Sequence, residues 1–133
     1  MADVCDNLLQ LKKERNGVYI TTQTLTALKH LFLNDKRTWK CKALQSFFMI
    51  DSLGRVAGCH RREPVASVPQ LLDVWNSPKL EALRKKYSEC NQCAYLCYIF
   101  YSIHSNVLSN LSVVLDQSKN VRTLLRNARK SRL

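Results

Sequence analysis

The chain has 133 residues, room for one core but not two comfortable ones, and its 46% hydrophobic content excludes a disordered polymer. Twenty-one Lys and Arg against ten Asp and Glu give a formal charge of +11, which favours acidic partners (nucleic acid, anionic lipid or an acidic protein) without bearing on fold. The longest apolar run, Ala94 to Ile103, is well short of the ~20 residues a membrane span needs.

The opening Met-Ala-Asp-Val-Cys-Asp lacks the basic-then-apolar layout of a secretory signal, so the expectation is a cytoplasmic protein with no membrane span. In a reducing compartment, clustered cysteines point to metal ligation rather than disulfides. The overall expectation is an α+β domain, mostly helical, with a small β-hairpin flanked by helices and a helical C-terminus. Three regions are expected: a helical lead-in over 1–38, a cysteine-bearing domain over 39–103, and a basic helical tail over 104–133.

In chain order, Asp3 to Arg15 places Val4, Leu8 and Leu11 on one helical face, and Asn16-Gly17 stops that helix. Cys5 lies toward its apolar side and reads as a packed thiol. Val18-Tyr19-Ile20 is a possible short strand. Thr21 or Thr22 then caps a second helix carrying Leu25, Leu28 and Phe32. Trp39 is expected to pack.

Ser46 to Ile50 is a β-prone run that Arg55 to Cys59 can pair with, across Asp51-Ser52-Leu53-Gly54, where Gly54 supplies a positive φ. The hairpin brings the region of Cys41 back toward Cys59. Pro69 to Asn76 reads as one or two helical turns. Ser77-Pro78 starts a further helix, because Ser caps and Pro suits the first helical position; its buried stripe is Leu80, Leu83 and Tyr87.

That helix ends just before Cys90. Helical pattern resumes beyond Cys97, through Leu108, Leu111 and Leu115. The final segment sets Val121, Leu124, Leu125 and Ala128 at i, i+3, i+4 and i+7 among Lys119, Arg122, Arg126, Arg129, Lys130 and Arg132. Such a basic amphipathic helix can lie on RNA, a membrane or a partner protein, or dock its apolar stripe on its own core, the reading preferred here.

Five of the six cysteines, Cys41, Cys59, Cys90, Cys93 and Cys97, fall in two groups around the hairpin and helix. Thiolates suit tetrahedral zinc or an iron–sulfur cluster. Only Cys90 and Cys93 form a zinc-type knuckle, and five thiols exceed the four a zinc ion takes. A cubane accepts ligands from more separated positions, so spacing leans to iron–sulfur. His30, His60 and His104 are scattered; a Cys–His60 nucleophilic pair has little support beside clustered thiols.

Cys41, twelve residues, Gly54, four residues, Cys59 resembles the opening motif of the SPASM/twitch auxiliary-cluster domain of radical S-adenosylmethionine enzymes. The pattern continues with Leu71-Leu72-Asp73-Val74-Trp75-Asn76-Ser77, a short helix, and Cys90-Asn91-Gln92-Cys93. Leu8 to Ile20 is similar to the last helix of the preceding barrel. The resemblance implies one 4Fe–4S cluster on Cys41, Cys59, Cys90 and Cys93, with Cys97 as a further candidate ligand, and Trp75 and Leu72 in the core.

The hallmark Cys-x-x-x-Cys-x-x-Cys of the catalytic core does not occur here. The chain is therefore expected not to cleave S-adenosylmethionine alone. It would serve electron transfer or substrate anchoring for a core in the missing N-terminal barrel or in a partner protein. The rival expectation is a zinc-stabilised module that binds nucleic acid or protein through its basic C-terminal helix.

Overall fold

The computed structural model describes residues 1–15 and 17–130. In chain order it contains α1 (Ala2–Glu14), α2 (Thr22–Asn34), β1 (Met49–Ile50), β2 (Arg55–Ala57), β3 (Ala66–Ser67), α3 (Leu71–Val74), α4 (Pro78–Glu89), α5 (Leu96–Ile103) and α6 (Val107–Lys130). The fold is α+β and mostly helical, with one small antiparallel sheet in the order β1-β2-β3. It divides into two compact units, Met1–Thr38 with Asn106–Leu133, and Trp39–Ser105.

In the first unit, Thr21 caps α2 by accepting a hydrogen bond from the Thr24 N–H, and Leu25, Leu28 and Leu31 are buried. Cys5 is buried in α1, as expected for a packed thiol. The expected apolar face of α1 is only partly realised, because Val4 and Leu11 remain exposed. Asn16, one of the two residues expected to end α1, lies outside the described residues. Gly17 adopts φ +107°, a conformation open to glycine.

The expected strand at Val18-Tyr19-Ile20 does not form, because side chains rather than another strand meet its backbone. The Asn120 carboxamide accepts from Gly17 N–H at 2.7 Å and donates to Val18 C=O at 3.1 Å. Gln117 donates to Tyr19 C=O at 2.8 Å. With those groups satisfied, the segment has no need of a ladder.

Helix α6 thus docks through its polar side. Asp116 is the centre of that contact: its carboxylate accepts from Thr22 Oγ1 at 2.5 Å and pairs with Lys12 Nζ at 2.9 Å. Thr22 opens α2, so the charge sits where exposed N–H groups favour an anion. The preferred reading of the C-terminal stripe is corrected, since Val121, Leu125 and Ala128 are exposed. The side chains of Lys119, Leu124, Arg126, Arg129 and Lys130, and the whole of Arg132, lie outside the described residues.

In the second unit the expected hairpin forms, with Met49 opposite Ala57 and Ile50 opposite Val56. Gly54 adopts φ +71° in its turn. Asp51 fastens the turn by accepting from Leu53 N–H and Arg55 N–H, each at 2.9 Å, and from Arg55 Nε at 2.7 Å. Those bonds, the Arg55 backbone bond foremost, hold the Asp51 carboxyl below its usual range. β3, unforeseen in the sequence, adds to β2 with Arg55 opposite Ser67.

The core of this unit is Ala43, Leu44, Leu80 and Tyr87, with Cys41, Phe47, Cys59, Val65, Trp75 and Leu83 packed around it. Leu44 is fully buried yet sits at φ +59°, a left-handed conformation costing a non-glycine residue roughly 1–2 kcal/mol. Burying the leucine side chain returns about 1.5–3 kcal/mol, which outweighs the strain.

Arg84 ties three segments together. Its Nε donates to Leu44 C=O at 2.7 Å, Nη2 donates to Trp75 C=O at 2.8 Å, and the guanidinium lies 4.6 Å from the Trp75 ring centre. Trp75 is accordingly half-buried against the core, whereas Leu72, expected inside, is 85% exposed on the single short turn of α3.

Gly58 is buried beneath this core. A Cβ there would lie 2.7 Å from Tyr87 Cε2 and 2.8 Å from Leu44 Cγ. Gly58→Ala is therefore expected to destabilise the chain by about 1–3 kcal/mol in denaturant unfolding.

Asp116 yields a second expectation. Burial alone would raise its pKa, but hydrogen bonds from Thr22 and Lys12, with the Lys12 charge, outweigh that and lower it. A lowered carboxyl contributes stability above its unfolded pKa of about 3.9 and loses it as pH falls through the depressed folded value. Asp116→Asn should cost about 1–2 kcal/mol at neutral pH, allowing for solvent screening. Its unfolding midpoint should converge on that of the parent chain in acid.

Candidate metal centre

The cysteines of interest lie on three pieces of the second unit: the segment before the hairpin, its exit, and the stretch from the end of α4 into α5. Cys41 and Cys59 both pack against the Leu44–Tyr87 core. Cys59 follows Gly58 directly, so the close approach of Tyr87 at the glycine sets that ring beside it. Cys90 ends α4, with its N–H donating to Tyr87 C=O at 3.2 Å. The helix thus delivers Cys90 one turn beyond the same tyrosine.

Burial foremost pushes the Tyr87 phenol up, and Cys59, Cys41 and Cys90 push it further, while Arg62 pulls it down. Burial likewise raises Tyr98, opposed by its bond with His60 and assisted by Cys59, Cys97 and Cys93. Cys59 belongs to both sets. Cys59, Cys41 and Cys90 thus lie within electrostatic range of Tyr87, and Cys59, Cys97 and Cys93 within range of Tyr98. None of the five is disulfide-bonded.

Polar contacts fix the supporting pieces. Arg61 Nη1 donates to Gln92 C=O at 3.2 Å, holding the loop between Cys90 and Cys93 to the hairpin exit. Lys42 N–H donates to the buried Ser102 hydroxyl at 3.1 Å, which ties α5 to the residue after Cys41. Tyr98 stacks on Phe47 with ring centres 5.4 Å apart, and His60 Nδ1 is 2.9 Å from its hydroxyl. The same hydroxyl also contacts Met49 Sδ.

Not every candidate joins this arrangement. Cys5 is in the other unit, buried in α1, where burial raises its thiol pKa. Cys97 is exposed, whereas Cys41, Cys59, Cys90 and Cys93 are half-buried. Among the described residues, no group of three or more His, Cys, Asp or Glu side chains is set to hold a metal ion. Also among the described residues, no helix is long and apolar enough to cross a membrane.

Beside the site, Met49, Ile50, Arg55, His60, Arg62 and Pro64 line much of a cavity of about 370 Å³. Sequence reasoning did not find Tyr87, Tyr98, Gly58 or Arg84 as organisers of the site. The Gly58-Cys59 pair was the available signal, because a glycine beside a ligand candidate and outside the turn asks for a close neighbour.

No curated protein and no solved structure matches the chain. A family model does match residues 41–98, and it describes SPASM, an iron-sulfur cluster-binding domain. The matched span holds all five clustered cysteines, the hairpin, α3 and α4, and it ends at Tyr98. The match covers less than half of the chain, and over residues 41–98 the chain is similar to that iron–sulfur cluster-binding domain.

Proposed function

We propose that Cys41, Cys59, Cys90 and Cys93 hold one 4Fe–4S cluster, and that the domain serves a radical S-adenosylmethionine core as an auxiliary electron-transfer or substrate-anchoring centre. The observation that carries this reading is the gathering of thiols from separate elements around Tyr87, within a span that matches a cluster-binding family.

The donor set suits the group. Four thiolates match a 4Fe–4S cluster, which takes ligands from more separated backbone positions than one ion does. The stretch from Cys90 to Ala94 has no helix or strand, so drawing its thiols together requires no regular element to break. When bound, such a cluster supplies one-electron chemistry at a potential set by its surroundings.

The chain's own residues set those surroundings. Tyr87 and Tyr98 place aromatic bulk beside the thiols and keep water from that side. Arg61 and Arg62 bring positive charge next to a centre whose ligands are anionic. Arg62 and His60 also face the cavity beside β1 and β2, which offers an anionic group of a substrate a place to rest. The core that cleaves the cofactor would come from a longer chain or a separate protein.

Anaerobic reconstitution with iron and sulfide tests this reading. The parent chain should retain about four iron atoms and show broad visible sulfur-to-iron absorption. Alanine at Cys41, Cys59, Cys90 or Cys93 should each remove most of the iron. Alanine at Cys5 should leave it intact, and alanine at Cys97 should cost less than at the four. Retention of zinc but no iron would contradict the proposal; loss at Cys97 without loss at Cys93 would reassign the ligand.

A further inference from the structure

Alternate residues of a hairpin share a face, so Met49, opposite Ala57, stands on the same side as Asp51 and Arg55. That face forms one side of the cavity of about 370 Å³, and His60, Arg62 and Pro64, on the way out of the hairpin, form another. The volume lies in the range of small-molecule sites, roughly 300–1,000 Å³. No cysteine lines the cavity, so it is separate from the thiol set.

Its charged groups are unequally engaged. Asp51 is the one acid in the lining, and its oxygens already accept from Leu53 N–H, Arg55 N–H and Arg55 Nε. Arg55 meets that carboxylate through Nε, leaving the terminal nitrogens of its guanidinium without a partner among the described residues. The Arg62 side chain likewise makes no hydrogen bond or ion pair among the described residues. Glu63, between Arg62 and Pro64 in sequence, does not line the cavity. Guanidinium donors therefore remain at the cavity with no second acid to meet them.

Met49, Ile50, Ala57 and Pro64 make the remainder largely apolar. Donors at the edge of an apolar floor suit a ligand with one oxyanion and a short hydrocarbon body. Charge chooses among oxyanions. Two guanidiniums against one carboxylate leave a single positive charge, which balances a carboxylate and not a doubly charged phosphate. The planar fork of arginine also fits both oxygens of a carboxylate at once.

We propose that this cavity binds a small organic acid, its carboxylate held by Arg62 with Arg55 and its hydrocarbon part laid on Met49, Ala57 and Pro64. The inference rests on the substrate-anchoring reading above for its place in a reaction, although the contact itself uses no thiol. Arg62 is the selecting residue, because Arg55 is tied to the turn by Asp51.

The test titrates the full chain with 3-phenylpropionate and follows backbone amide shifts. A ligand of this size predicts a Kd of about 1–10 mM. Saturable shifts should centre on Met49, Ile50, Ala57 and residues 60–63. Uncharged 3-phenylpropionamide, and acetate with its single methyl, should each bind at least about fivefold more weakly. Arg62→Gln should weaken the acid at least about fivefold and leave the amide unchanged, which a misfolded cavity would not do. If the Arg62→Gln spectrum departs from the parent away from the cavity, Arg62→Lys replaces it and should weaken the acid in the same direction.

Equal binding of acid and amide would overturn the proposal, as would shifts centred elsewhere or an affinity indifferent to Arg62. Acetate or inorganic phosphate matching the acid would mean an adventitious ion only, and would overturn it too. Iron loading is scored separately. Acid bound by a chain that retains no iron would remove the cluster and keep the cavity; iron retained without acid binding would do the reverse.

Discussion

The site depends on an empty place at Gly58. Because no Cβ stands there, the Tyr87 ring and the Leu44 side chain close onto the hairpin beside Cys59. Leu44 reaches it only by taking a left-handed backbone, and Arg84 holds that turn by its carbonyl. Tyr87 reaches it only because Ser77 and Pro78 start α4 in the right place. With Tyr87 seated, Cys90, three residues on, has one direction to go.

Two layers of constraint therefore gather the thiols. The inner layer is packing: Gly58, Leu44 and Tyr87, with Cys41 and Cys59 at their edge. The outer layer is polar: Arg61 on the Cys90–Cys93 loop, Ser102 on Lys42, and His60 on Tyr98. Packing fixes the firmest pair of cysteines, while hydrogen bonds carry the later three. Cys97 alone of the five is exposed.

Local signals made much of this legible in the sequence. Asp51 to Gly54 announced the hairpin, Ser77-Pro78 the start of α4, and Cys-x-x-Cys the second thiol group, because each is set by neighbours a few residues apart. Long-range effects were hidden. Val18 to Ile20 has the composition of a strand, yet carboxamides about a hundred residues away satisfy its backbone. Leu72 lies in a motif that resembles the family, but a four-residue helix has too little surface to bury both Leu72 and Trp75. The stripe of α6 read as a core face because periodicity reports which residues share a side, not what that side meets.

We propose that this packing arranges four thiolates for an iron–sulfur cube. X-ray absorption at the iron edge of the reconstituted chain examines it most directly. The account predicts an all-sulfur first shell with iron neighbours beyond it, and a Gly58→Ala chain that loads less iron. Isolated iron without iron neighbours, or a shell of nitrogen and oxygen, would contradict it.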